Sequence, residues 1–413
     1  MVDMKQRSLE EVKALSVEEA VEIMRQAGIV GAGGGGFPTY FKYKRPLPHL
    51  IVNATESEPG YWGDKLLHKE YMDEFIQLFE GMKAVFGFEQ ITLGVHEKDR
   101  EWFADYEEHT GENIFDVRHV PDTYGLGEEK TLVKHATDKK VPLFTNNPDG
   151  ARRPGMPPDV GIIVNNSETL LNVYNALFLG RPVTTVFFTI FGMEKDTIDY
   201  KAYEAPIGAS VREILEIAGL DVEKKVAGVG NVIGSGEDSD RLTVVDGGPY
   251  LNDVIDSKAV ESGGAYIRRM TNSLLLVPEG RQTKEYAREI KTYPPEEGIV
   301  SLVGKVSSIQ LPFGGGLLTL ATPLVSEGDE VEYEQKIGEP SDKGFSIGVW
   351  AGMGGEISSI EDGMVAITGS AIDEEDAEVR EEAKAQAQAN SAGGAPPKGE
   401  AEPFQETKAE ISR

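Results

Sequence analysis

Six glycines fall within nine positions, Gly28 to Gly36, and they follow directly on a segment that reads as a helix. Ser16 to Ala27 (SVEEAVEIMRQA) carries a capping box in Ser16 and Glu19, an apolar face in Val17, Ala20, Val21, Ile23 and Met24, and a glycine stop at Gly28. Lacking Cβ atoms, these glycines let the backbone come close to whatever it touches, and so many of them need a cause. Gly31, Gly33 and Gly36 satisfy the spacing G-x-G-x-x-G, with Gly34 between them. A dinucleotide fingerprint follows a strand and opens a helix, whereas this run follows a helix and precedes Phe37-Pro38. The better reading is a loop whose backbone approaches a flat or anionic ligand, with Lys42 as a nearby positive charge. A ligand-free flexible loop is the alternative.

Three polar clusters lie downstream, each beside an expected strand or helix end. Asn53, Glu56, Ser57 and Glu58 follow the strand His49–Val52, before Pro59-Gly60. Ligands of α/β sheets bind at such strand ends, and glutamates there can accept hydrogen bonds from a ribose, an amide or a ring N–H. Tyr124 to Leu132 (YGLGEEKTL) presents Gly127, Glu128 and Glu129. Asn165 and Asn166 (NNSETL) follow the apolar strand Val160–Val164. Solvated turns, or a simple helix cap at Asn166, would explain each cluster taken singly.

Composition narrows the chemistry. The chain has 413 residues, enough for two to four domains, and no cysteine. Disulfides, Cys-held zinc, thiolate catalysis and a self-contained iron–sulfur cluster are excluded. A formal charge of −29 opposes binding to a polyphosphate, so no nucleic acid is expected as a partner. No apolar run reaches the length of a membrane span, and the polar N-terminus shows no signal peptide, so a cytoplasmic location is expected. The six histidines are scattered singly and suggest no acid–base pair.

In order along the chain, GAGGGGFPTYFK, NATESEPGYWGD, YGLGEEKTL and NNSETL together resemble the flavin- and NADH-binding subunit of respiratory complex I and its relative, the RnfC subunit of Rnf complexes. The resemblance implies FMN and NADH as cofactors. The glycine run and Lys42 would hold the FMN phosphate. Asn53, Glu56, Asn165 and Asn166 would line the flavin, with the Tyr124–Gly127 turn beneath. Glu58, Glu128 and Glu129 would contact the flavin or the nicotinamide nucleotide, and Phe144 is a candidate for stacking on adenine. Hydride transfer would be the work of the cofactors, so no catalytic side chain is expected.

The implied fold is α/β and multidomain. A Rossmann-like FMN/NADH-binding core (1–199) would be followed by a β-grasp domain of the SLBB type (200–278) and a linker (279–297). An all-β barrel-sandwich hybrid domain (298–369) and an acidic disordered tail (370–413) would complete the chain. The barrel-sandwich half-repeats stand at the N-terminus of RnfC, so the domain order looks permuted. Both relatives pass electrons to clusters held by cysteines after the flavin domain. With none here, the expected electron acceptor is an iron–sulfur protein acting as a partner, and the chain's place could be peripheral to a membrane complex. A non-catalytic flavin- or nucleotide-binding scaffold and an NADH-dependent corrinoid reductase are the alternative functions.

Overall fold

The computed structural model describes residues 3–56, 58–110, 114–123, 125–147, 149–192, 197–226, 241–248, 253–279 and 298–369. Ser57, Tyr124, nearly all of the expected linker and the expected tail lie outside the described residues.

The chain opens with helices α1 (Leu9–Lys13) and α2 (Val17–Gln26), each started by a reciprocal capping box, Ser8 with Glu11 and Ser16 with Glu19. After the glycine run come α3 (Thr39–Tyr43), β1 (His49–Ala54), α4 (Gly63–Glu70), α5 (Met72–Phe86) and β2 (Gln90–His96). Then follow α6 (Ala104–His109), β3 (Asp116–Val120), α7 (Glu129–Thr137) and a small hairpin of β4 (Phe144–Asn146) and β5 (Arg152–Pro154). Strand β6 (Ile162–Asn166) and helix α8 (Ser167–Tyr174) end this layer.

Four of these strands form a parallel sheet in the order β3-β2-β1-β6. Leu50 and Val52 face the cluster that contains Phe79, Met82 and Leu171 of α5 and α8. Ile51 faces the opposite side, with Leu132 and Val133 of α7. Burial on both faces is why these strands read as continuous apolar runs. The strand order reverses between β1 and β6, and in open α/β sheets the crevice at such a switch point, at the carboxyl ends of the strands, is where ligands bind.

A six-stranded mixed sheet follows. Its members are β7 (Thr185–Gly192), β8 (Lys201–Pro206), β9 (Leu242–Asp246), β10 (Asp253–Val254), β11 (Ser273–Pro278) and β12 (Ile299–Ser301), in the order β10-β9-β11-β7-β8-β12. Helices α9 (Val211–Ile217), α10 (Val222–Lys225) and α11 (Ser257–Glu261) accompany it. The sheet takes β7 from before residue 200 and β12 from after residue 297, since β7 pairs along its length with β8 and β12 adds to the free edge of β8.

From residue 308 on, the described residues are all-β. Strands β13 (Ser308–Pro312), β14 (Thr322–Pro323), β15 (Glu330–Val331), β16 (Lys336–Glu339), β17 (Val349–Trp350), β18 (Gly355–Glu361) and β19 (Met364–Thr368) make two sheets, β13-β19-β18-β15 and β14-β16-β17. This unit is tied to the end of α2. Trp350 Nε1 donates to the Gln26 carbonyl at 2.7 Å, and the Gly348 N–H donates to the Arg25 carbonyl at 3.0 Å.

Candidate functional site

Neighbouring parallel strands bring the first and last polar clusters together. Asn53 on β1 and Asn166 on β6 are partners in register at the carboxyl ends of their strands. Asn166 then caps α8, its Oδ1 accepting from the Thr169 N–H at 3.2 Å and from the Thr169 hydroxyl. Thr169 Oγ1 in turn accepts the Ala32 N–H at 3.0 Å, which fastens the glycine run to this helix. A Cβ on Gly33 would lie 3.3 Å from Asn166 Nδ2, so the run crosses the strand end in near-contact.

The run is closed at its base. The Gly31 N–H donates to the Phe37 carbonyl at 2.8 Å and the Gly36 N–H to the Gly31 carbonyl at 3.1 Å. Between them, the N–H groups of Gly33, Gly34 and Gly35 meet no acceptor among the described residues. Gly34 has φ +97° and open space where a side chain would stand. Consecutive unpaired amides around a left-handed residue form an anion cradle.

The middle cluster closes the other side. Asn53 Nδ2 donates to the Gly127 carbonyl at 2.9 Å, and Thr55 donates to Asn53 Oδ1 through its N–H at 3.2 Å and its hydroxyl at 2.6 Å. Glu128 caps α7, accepting from the Thr131 N–H at 2.9 Å and hydroxyl at 3.0 Å. Lys42 Nζ lies 2.9 Å from Glu129 Oε1 and 2.6 Å from the Val164 carbonyl on β6. Its ammonium therefore joins the glycine-run side to the Glu129 turn rather than standing free.

Three predicted residues turn inward. Asn165 is buried and its Nδ2 donates to the Tyr43 hydroxyl at 2.6 Å. Glu56 is buried in an ion pair with Lys65, with Asp99 3.4 Å from the same ammonium. Burial pushes the Glu56 carboxyl above its ordinary range, while Lys65 is held charged by Glu56 and Asp99 against its own desolvation. Glu58 is also buried, its carboxylate against the Cα of Gly248 after β9. The Gly60 carbonyl accepts from Thr189 Oγ1 at 2.8 Å and the Tyr200 hydroxyl at 2.6 Å, so this loop is anchored on the second sheet. Phe144 lies outside this group of contacts, half-exposed on its hairpin with the Arg152 guanidinium 3.9 Å from its ring centre.

Sequence reasoning missed a buried polar layer beneath the strand ends. Ser167 Oγ lies 3.1 Å from His68 Nε2, and His68 Nδ1 lies 2.8 Å from the Tyr106 hydroxyl. Burial lowers His68 to about 3, so it is neutral. Burial also pushes Asp64 up to about 8, where Glu56 adds to the shift and a hydrogen bond from Ser167 opposes it. Glu168 is raised by burial to about 8, although it accepts the Phe187 N–H at 3.1 Å. The spacing of Asp64-Lys65 and His68 on one helix was the available signal, but their partners come from other elements. Among the described residues no group of three metal-ligating side chains converges, and no helix is long and apolar enough to cross a membrane.

Comparison with known proteins bears on the same stretch of chain. Residues 24–175 match the family model of the Nuo51 FMN-binding domain of complex I. The RnfC protein of the ion-translocating oxidoreductase complex of Vibrio cholerae is 30% identical over 51% of this chain and 26% of its own length. Its counterpart in Pseudomonas aeruginosa is 32% identical over 48% of this chain and 25% of its own length. The cobalamin reductase PduS of Salmonella typhimurium is 27% identical over 64% of this chain and 51% of its own length. This chain thus spans about a quarter of the RnfC relatives and half of the reductase. An NAD+-reducing NiFe-hydrogenase structure aligns with a TM-score of 0.46 at 18% identity, over 67% of this chain and 50% of that one. The matched residues hold the glycine run, the paired strand ends and the capping helix α8, and over them the chain is similar to the Nuo51 FMN-binding domain and to the RnfC proteins.

Proposed function

We propose that this chain is the flavin-bearing member of an electron-transfer assembly, taking hydride from NADH onto FMN and passing electrons to an iron–sulfur partner protein. The observation that carries the reading is the register pairing of Asn53 with Asn166 at the switch point of the parallel sheet, under a glycine run with three amides that meet no acceptor among the described residues. The donor set suits a phosphorylated flavin. The amides of Gly33–Gly35 take the phosphate, while Asn53 and Asn166 hold the run and the Gly127–Glu129 turn on opposite sides of one crevice. Glu128 and Glu129 stand at the open end, where hydroxyls of a nicotinamide nucleotide would find acceptors, and acids there disfavour a 2′-phosphate. Bound in this crevice, the flavin supplies two-electron acceptance and one-electron release. The protein binds it, orients it and excludes water, and it needs no acid–base side chain.

The further modules belong to the same reading. The six-stranded sheet with α9 is proposed as the SLBB-type β-grasp domain and the two antiparallel sheets as the barrel-sandwich hybrid, both docking partners. A place at the periphery of a membrane complex is part of this proposal. The longer alignment with the cobalamin reductase favours one second reading, an NADH-dependent corrinoid reductase. To test the proposal, the purified protein is reconstituted with FMN and mixed anaerobically with NADH. Bleaching of the visible flavin band is expected, and an unchanged band would sink the proposal. Reduction of cob(III)alamin by the bleached protein would select the second reading.

A further inference from the structure

A cavity of about 650 Å³ lies where the three units meet. One wall is Gly34–Gly36 and a second is Tyr266–Met270, before β11. The third is Phe313–Leu318, after β13. That volume falls in the range of about 300–1,000 Å³ typical of small-molecule sites. Two side-chain-free stretches face into it, Gly34–Gly36 and Gly314–Gly316. Gly34, Gly35, Gly315 and Gly316 have open space where a Cβ would be, so these walls are thin and flat. Ile207, Ile267, Phe313, Ile347 and Val349 supply an apolar lining.

In a chain of net charge −29, no carboxylate among the described residues lines this cavity. Two guanidinium groups do. Arg268 is neutralised by Asp246 at 2.9 Å and Asp253 at 2.8 Å. Arg269 has no acidic partner among the described residues, and its only hydrogen bond there is a long one, 3.5 Å, to the Gly28 carbonyl. Burial holds its guanidinium down to about 10, so it is charged at neutral pH and poorly compensated. A charge left in an apolar enclosure without a counter-ion is costly, and a ligand anion removes that cost.

We propose that this cavity is a second ligand site, for a small organic anion with a flat apolar body, held by Arg269 through its carboxylate, sulfonate or phosphate and by the two glycine walls through its ring. It shares Gly34 and Gly35 of the phosphate cradle with the FMN crevice, and it stands whether or not that assignment does.

The probe is naphthalene-2-sulfonate, titrated calorimetrically into the full chain saturated with FMN, or into the untreated full chain if FMN does not bind. One probe per chain is expected. Arg269→Gln should weaken binding roughly tenfold or more, as for loss of a charge-assisted hydrogen bond, and Arg269→Lys should recover part of it. Leu318→Trp, which adds bulk to the cavity lining, should abolish binding. Naphthalene without the sulfonate should lose affinity in Leu318→Trp but not in Arg269→Gln, a pattern that a misfolded Arg269→Gln protein would not give. Equal affinity of wild type and Arg269→Gln for the sulfonate, unchanged binding in Leu318→Trp, or no binding to the wild type at millimolar probe would each overturn the proposal.

Discussion

Two acidic pairs flank the same crevice and behave in opposite ways. In the loop after β1, Glu56 and Glu58 are buried, and the Glu56 side chain is only 2% exposed in its pair with Lys65. In the turn before α7, Glu128 is exposed as a helix cap, and Glu129 is 37% exposed against Lys42. Sequence makes these pairs look alike, since both are carboxylates beside glycine at the rim of a sheet. Burial separates them. The first pair is buried framework, with Glu56 compensated by Lys65 and the loop fixed to the second sheet, whereas the second keeps carboxylate oxygens near solvent, where a ligand can reach them.

The strongest way to break this contrast is at Lys65. Lys65→Met leaves Glu56 and Asp99 as uncompensated buried acids, and a loss of about 3–5 kcal/mol in urea unfolding is expected. The double variant Glu56→Gln/Lys65→Met should recover part of that loss. A loss below about 1 kcal/mol would mean that the loop is not framework.

A pH series sharpens the same distinction. Asp64 and Glu168 are raised by burial to about 8 in the folded chain, above the ordinary carboxyl values they take when unfolded. Between those limits the folded state holds more protons than the unfolded state, so stability falls as pH rises from about 4 to about 8. Each group contributes at most about 1.4 kcal/mol per pH unit. His68, lowered to about 3, acts in the other sense, and its contribution is present above pH 6.5 and lost as pH falls towards 3. Asp64→Asn should therefore flatten the stability profile between pH 6 and 8 in chemical denaturation, and an unchanged slope would count against a buried, protonated Asp64.

The smallest effect is expected at the partly exposed pair of Lys42 and Glu129. Lys42→Met should change stability by about 0–1 kcal/mol, as exposed ion pairs do, while lowering affinity for FMN measured by quenching of flavin fluorescence. A stability loss approaching that of Lys65→Met would erase the contrast.

Much of the core was legible in the sequence, because its signals are local. The capping box of Ser16 and Glu19 sits at the start of α2, and Asn166 caps α8. The strand expected over Val160–Val164 runs two residues later, because Pro157–Val160 forms a 3₁₀ turn closed by Gly161 in the left-handed region. The four motifs pointed to one place because each ends a strand or opens a helix. Tertiary pairing was not legible. Nothing in the sequence says that Lys65 answers Glu56, that Tyr43 takes up Asn165, or that Lys42 binds the Val164 carbonyl. Those partners are fixed by how α3 and α4 pack, and sequence spacing does not encode that. The weakly paired guanidinium of Arg269 was invisible for the same reason, since only the packed chain shows that it has no acidic partner among the described residues.

A structure determined with FMN tests the central claim most directly. Phosphate density at the Gly33–Gly35 amides, with the ring bounded by Asn53, the Gly127–Glu129 turn and Asn166, is the result predicted. Flavin bound elsewhere on the chain, or a crevice that stays empty at saturating FMN, would contradict it.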